Sequence, residues 1–109
     1  MVSNRLQIRQ HEVTRIEALI ALDGSLPRRA IASLRLSNVR RDDQGRAVVT
    51  IGKTERGVRK VEAVALPVGP KSQAVLRLIA ELADAPKDRS LFGLSEEAIR
   101  HRIRRMRRP

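Results

Sequence analysis

The sequence predicts an α+β fold, one small domain in which helices pack on a β-hairpin or a short antiparallel sheet. Three observations predict it. Apolar residues recur at i, i+3, i+4 spacing near both ends of the chain and again over 71–84, as on amphipathic helices. Between these stretches lie two runs rich in β-branched residues, "AVVTI" and "VEAVAL", joined through "GKTERGVRK". The length of 109 residues, 41% of them apolar, suits one core and is too short for two. Residues 1–109 are therefore read as a single domain, with 1–6 loose.

Each element has its own local cause. A first helix is expected from near Ile8, with Val13, Ile16, Leu19 and Ile20 as its buried stripe. Asp23-Gly24 is its stop, with Gly24 in the left-handed conformation that glycine adopts readily. A second helix starts at about Ser25 to Pro27, because proline suits a first turn. It buries Ala30, Ile31 and Leu34 and leaves Arg28, Arg29 and Arg35 outside that face. Asp42-Asp43-Gln44-Gly45 marks a turn. The two strands follow. Neither of their faces is strongly polar, so helices must cover one of them, and Pro67 and Pro70 end the sheet.

A third helix over 71–84 presents Val75, Leu78, Ile79 and Leu82 as one stripe. Pro86 to Ser90 is a polar loop and Leu91-Phe92 an apolar anchor. Ser95 is a natural N-cap, and Glu96 and Glu97 sit where the helix dipole favours anions. The last helix turns Ala98, Ile99, Ile103 and Met106 inward, packing within the chain, and carries arginines on its other faces.

Composition excludes several functions. There is no cysteine, hence no disulfide, zinc-thiolate site or thiol nucleophile, and there is no tyrosine. No apolar run approaches the roughly 20 residues of a membrane span, and "MVSNRLQIRQHE" lacks the pattern of a secretory signal. A cytoplasmic protein without a membrane partner is expected. The net charge of +11 sets up a field that attracts polyanions such as nucleic acid. Phe92 is the only aromatic residue, so the stacking platforms that single-strand binders use are missing and double-stranded DNA is preferred. Asp42-Asp43 and Glu96-Glu97 read as a solvated turn and a helix start rather than metal sites, and His11 reads as a surface residue. Neither cofactor nor metal is expected.

Four segments, taken together, resemble the catalytic domain of tyrosine recombinases of the phage-integrase type. "GSLPRRAIASLRLSNV" is similar to that family's turn and helix, Gly-Leu-Arg-x-x-Glu-x-x-x-Leu. "GRAVVTIGKTERGVRKVEAVALP" is similar to its hairpin of strand, Lys-Thr, basic tip, strand and Val-Pro-Leu. The helix over 71–84 and "RSLFGLSEEAIRHRIRRM" are similar to the helix and the Leu-Phe segment with basic helix that follow, so the likeness spans about residues 13–107. The resemblance implies a truncated domain that has lost its chemistry. Lys53 stands where the hairpin lysine belongs. Pro27 occupies the position of the first catalytic arginine, which a shift of one residue would move to Arg28, and Ala30 stands in place of the glutamate. His101 to Arg104 matches His-x-x-Arg inside a helix so rich in arginine that chance accounts for it. The nucleophilic tyrosine is absent. Phosphoryl transfer of this kind needs a nucleophile as well as cations. Ser25, Ser33, Ser37, Ser72, Ser90 and Ser95 read as caps or loop residues without a base beside them, so no enzyme is expected.

The same resemblance turns the hairpin and neighbouring helices toward DNA. Arg28, Arg29 and Arg35 come from the second helix and Arg40 and Arg41 from its exit. Lys53, Arg56, Arg59 and Lys60 come from the hairpin, and Arg100, Arg104 and Arg107 from the last helix. Arginine and lysine in such clusters contact phosphates, and arginine also reads guanine edges. The expected role is a transcriptional regulator or accessory factor of a plasmid or mobile element. Two alternatives are a winged-helix repressor, which needs a recognition helix after Leu36, and a fragment of a split integrase. An RNA-binding basic protein is a weaker fourth. A palindromic DNA site would imply a homodimer.

Overall fold

The computed structural model describes residues 2–106, with side chains described for 12–106. The elements are α1 (Val2–Asp23), α2 (Arg28–Ser33), a 3-10 turn (Leu36–Asn38), β1 (Val39–Arg41), β2 (Ala47–Glu55), β3 (Val58–Ala65), α3 (Pro70–Glu81) and α4 (Glu96–Met106). The strands form one antiparallel sheet in the order β1-β2-β3. The α+β architecture with helices packed on a short antiparallel sheet matches the sequence expectation.

Helix α1 starts at Val2 rather than near Ile8. The looseness expected of residues 1–6 concerns Met1 and side chains outside those described. The buried face of α1 differs from the expected stripe. Val13 and Ile20 are 51% and 44% exposed, while Thr14, Ala18, Leu19, Ala21 and Leu22 are buried. The small side chains of Ala18 and Ala21 let α1 lie on α3, its main partner, and Thr14 Oγ1 donates to Glu81 Oε1 at 2.9 Å. Two branched side chains have lost the core to two alanines, because helix–helix packing rewards fit as well as hydrophobicity. Gly24 also departs from expectation. It is absent from the residues of positive φ. A side chain there would instead bring its Cβ to 3.3 Å from Lys71 Nζ.

The sheet differs from the expected hairpin in two ways. Val39–Arg41, where Arg40 and Arg41 were expected at the exit of the second helix, forms β1 and pairs Val39 with Val49 and Arg41 with Ala47. A 3-10 turn and a strand therefore occupy the segment where a winged helix would need its recognition helix. The hairpin is also longer than "AVVTI" and "VEAVAL". Pairing runs from Val48 opposite Ala65 to Glu55 opposite Val58, leaving Arg56-Gly57 as a two-residue loop.

The core-facing residues of the sheet are Val39, Ala47, Val49 and Leu66, which join Leu19, Leu22, Ile31, Leu34, Val75, Leu78, Ile99 and Ile103 in one cluster. Ile99 and Ile103 are fully buried within the chain. Ser95 caps α4, accepting the Ala98 N–H at 3.1 Å. Leu91 and Phe92 are anchors as expected, held by Leu91 N–H to Leu34 O (2.8 Å) and by Arg15 Nη2 to Phe92 O (2.6 Å). Among the described residues, no helix is long and apolar enough to cross a membrane.

One polar residue lies at the centre of this arrangement. Ser72, in the first turn of α3, is fully buried. Ala47 donates a backbone bond to its Oγ at 3.1 Å, although Ala47 O itself accepts from Leu66 N at 2.9 Å. The Ser72 hydroxyl faces the carbonyls of Pro67 (2.7 Å) and Leu66 (3.2 Å). It therefore stands in for the last rung of the β2–β3 ladder and ties that rung to α3. This differs from the cap or loop role expected of Ser72. We expect Ser72→Ala to cost about 1–3 kcal/mol, since it leaves a buried N–H without an acceptor. The cost should be read as a lower urea midpoint at unchanged slope.

The Asp42–Arg46 turn is held by a carboxylate. Asp42 Oδ1 accepts from Arg46 N (2.8 Å) and Gln44 N (2.9 Å), and Oδ2 from Arg46 Nε at 2.7 Å. The Arg46 backbone N–H, against a smaller opposing push from burial and aided by the Arg46 guanidinium and the Gln44 N–H, holds this carboxyl below its ordinary range. A depressed folded value means that the stabilisation is complete above the unfolded carboxylate value, about 3.9, and is lost as pH falls through the folded one. Acid titration of stability should therefore lose a component below about pH 4 when Asp42→Asn is introduced.

Candidate nucleic-acid interface

The core-side helices cover only the first half of the hairpin. Ala47 and Val49 are buried and Ile51 is half-buried, but Lys53 and Glu55, on the same face, are exposed. On β3 the partners of Val49, Ile51, Lys53 and Glu55 are Val64, Glu62, Lys60 and Val58, of which only Val64 is even partly buried. The distal half of the hairpin therefore projects beyond the core. The reason lies in the sequence, since Lys53-Thr54-Glu55 and Arg59-Lys60 offer nothing for a helix to bury.

Between this projecting face and α2 lies an open cleft of about 650 Å³. Arg29 enters it from α2 and Lys53 from β2, with Ser33 and Asn38 also on its walls. Among the described residues, neither Arg29 nor Lys53 has a carboxylate within ion-pair distance. Glu62 lies on the same wall, one acidic group that sequence reading passed over. Its signal is strand parity, because Glu62 pairs with Ile51 and so shares a face with Lys53.

Lys53 also stands directly opposite Lys60. Like charges facing each other across two strands destabilise the pair. Glu55 relieves this partly, at 3.6 Å from Lys60 Nζ, but both side chains of that ion pair are more than half exposed, and exposed pairs contribute little.

The remaining basic residues do not converge on this cleft. Arg28 is half-buried beside Asp23, its Nε 3.2 Å from Oδ1, and does not line the cleft. Pro27, at the position that the recombinase resemblance gives to an arginine, does line it. Arg35 is exposed, and its N–H donates to Asn38 Oδ1 at 2.8 Å. Arg40 pairs with Val48 on the opposite sheet face, beside a depression lined by Asp42, Arg46 and Ala63. Arg41 is exposed at the end of β1. Arg59 faces the same side as Arg40, opposite Thr54. Arg100 and Arg104 are exposed on α4 and off the cleft, and Arg107 lies outside the described residues. The basic residues expected to face DNA are thus divided between two sheet faces and α4, because strand alternation sends neighbouring cations to opposite sides.

Several serines have structural duties. Ser33 Oγ donates to Arg29 O, Ser90 Oγ accepts from Gly93 N, and Ser72 and Ser95 act as described above. His101 is exposed.

The tip carries backbone strain. Arg56 and Gly57 have φ of 54° and 76°, the pair of positive values that a type I′ turn requires. Glycine takes this conformation freely, whereas an arginine there costs roughly 1–2 kcal/mol. No protein-family model, curated protein or solved structure matches the chain.

Arg56→Asn should separate the turn from the charge. Asparagine tolerates the left-handed region, so stability should rise by about 0.5–1 kcal/mol. A urea midpoint that falls instead would show that the arginine side chain, not the backbone, holds the tip.

Proposed function

We propose that the chain binds double-stranded DNA without cutting it, as a recombinase-like transcriptional regulator or accessory factor of a plasmid or mobile element. The carrying observation is the cleft between α2 and the hairpin. Arg29 and Lys53, two cations without carboxylate partners among the described residues, share it with hydroxyl and amide groups, and Lys53 faces a second lysine across the strands. A phosphodiester bound there would accept hydrogen bonds from these groups and relieve the lysine–lysine repulsion. The net charge of +11 supplies the long-range attraction. Arg56, held at the tip in a strained conformation, is placed to reach a groove.

Within this chain the chemistry lacks a nucleophile of the recombinase kind, since neither tyrosine nor cysteine occurs. Four serines are committed to structural hydrogen bonds, and Pro27 brings no charge to the cleft. Binding is the role that these residues can fill.

The test is a titration of labelled duplex DNA at several salt concentrations. Affinity should fall linearly on a log–log plot, and Arg29→Ala or Lys53→Ala should each reduce the slope by about 1. Glu62→Gln should raise affinity. Salt-independent binding, or slopes unchanged by both alanines, would remove the cleft from the interface. A footprint surviving competitor DNA supports a regulator, whereas uniform affinity leaves only non-specific coating. Strand cleavage by the wild type that disappears in Lys53→Ala would overturn the non-catalytic reading.

A further inference from the structure

Strand β3 ends the sheet, and among the described residues no strand pairs with its outer edge. Seven of its eight residues are exposed, which is long for an open edge. Which backbone groups face outward follows from the ladder. Leu66 N donates to Ala47 O, so Leu66 and, by alternation, Val64, Glu62, Lys60 and Val58 point their N–H and C=O at β2. Arg59, Val61, Ala63 and Ala65 then point theirs away from the molecule. Val61 is also the most exposed of the described large apolar side chains, at 76%. Its cross-strand neighbour is Gly52, which has no side chain to cover it.

We propose that this edge pairs antiparallel with the same edge of a second copy of the chain, centred on Val61. In that register Val61 exchanges two backbone hydrogen bonds with Val61 of the second copy, and Arg59 does so with Ala63 on either side. The two valines then cover each other on the outer face. On the core-side face Lys60 stands opposite Glu62 of the second copy, and Glu62 opposite its Lys60.

Charge selects this register over its neighbours. Centring one residue earlier sets Lys60 against Lys60, and one residue later sets Glu62 against Glu62, both destabilising. Centring on Arg59 opposes two arginines, and centring on Ala63 leaves Lys60 and Glu62 facing apolar residues. Only the Val61 register turns the edge charges from a barrier into two ion pairs. Helices do not obstruct it, since both faces of β3 are open from Val58 to Ala63. The result is a six-stranded sheet with a two-fold axis, and the inference is independent of whether the chain binds DNA.

Sedimentation equilibrium without nucleic acid tests this. It is run up to about 1 mM protein and near physiological ionic strength, where a Debye length of about 8 Å screens the repulsion between two net-positive chains. The wild type should form dimers. Val61→Pro removes an N–H that β2 does not use, as edge strands tolerate, and should raise the dissociation constant at least about tenfold with an unchanged circular dichroism spectrum. Lys60→Glu and Glu62→Lys should each weaken the dimer, because each sets like charges opposite at both symmetric positions. The double swap, Lys60→Glu with Glu62→Lys, should restore it. A wild type that stays monomeric overturns the proposal and leaves the edge to a strand of another protein. A dimer indifferent to Val61→Pro, or a double swap that fails to restore association, overturns it equally.

Discussion

A hydroxyl group stands where the β2–β3 ladder would otherwise have its final rung, and the placement of α3 against the sheet depends on it. Ser72 Oγ accepts from Ala47 N and faces the carbonyls of Leu66 and Pro67. In a core of Leu, Ile, Val and Ala with Phe92, it is fully buried. Apolar packing is only weakly directional, so such a core alone would let α3 slide along the sheet. A buried polar group that must keep its partners removes that freedom. With α3 set, Val75 and Leu78 cover the first half of the sheet and α1 lies on α3 through Ala18 and Ala21. No buried side-chain polar atom among the described residues lacks a partner.

The same constraint explains why the second half of the hairpin is bare. The helices are anchored at the Ala47–Leu66 end, and the strands run on to Arg56-Gly57 beyond their reach. Residues from Gly52 to Lys60 are therefore in solvent on both faces. The projecting strands leave two kinds of group unsatisfied by the chain itself. Lys53 and Lys60 face each other as like charges, and among the described residues the outward N–H and C=O groups of β3 have no ladder partner. The first favours an anion and the second favours another strand, and they lie on different parts of the same hairpin.

Much of the fold was legible because it depends on local pattern. Ser95 and its acidic neighbours marked the start of α4, Pro67 and Pro70 the end of the sheet, and Leu91-Phe92 its anchor role. The failures share a cause. Val13 and Ile20 looked buried and Ala18 and Ala21 did not, because periodicity ranks residues by hydrophobicity while a close helix contact is decided by shape. Strand β1 was missed because three residues show no period. Only its pairing with β2 across the Asp42–Arg46 turn makes it a strand. Gly24 was given a left-handed role that the chain's path through Ser25 and Leu26, both bonded to Leu22 O, does not need.

The candidate site shows the same division. Composition and order alone determined the strong positive charge, the lack of a tyrosine or cysteine nucleophile, and a hairpin carrying Lys53 with arginines at its tip. Each of these is a property of residues counted or placed along the chain. Which cations share a space was decided only by the tertiary structure. Arg29 and Lys53 come together because α2 crosses beside the face of β2 that carries odd-numbered residues. Arg40 and Arg59 are sent to the other face by strand alternation, and Arg28 is held aside by Asp23. A sequence lists charges by number, but a polyanion meets them by face. The faces were set by sheet register and by the buried serine that fixes it.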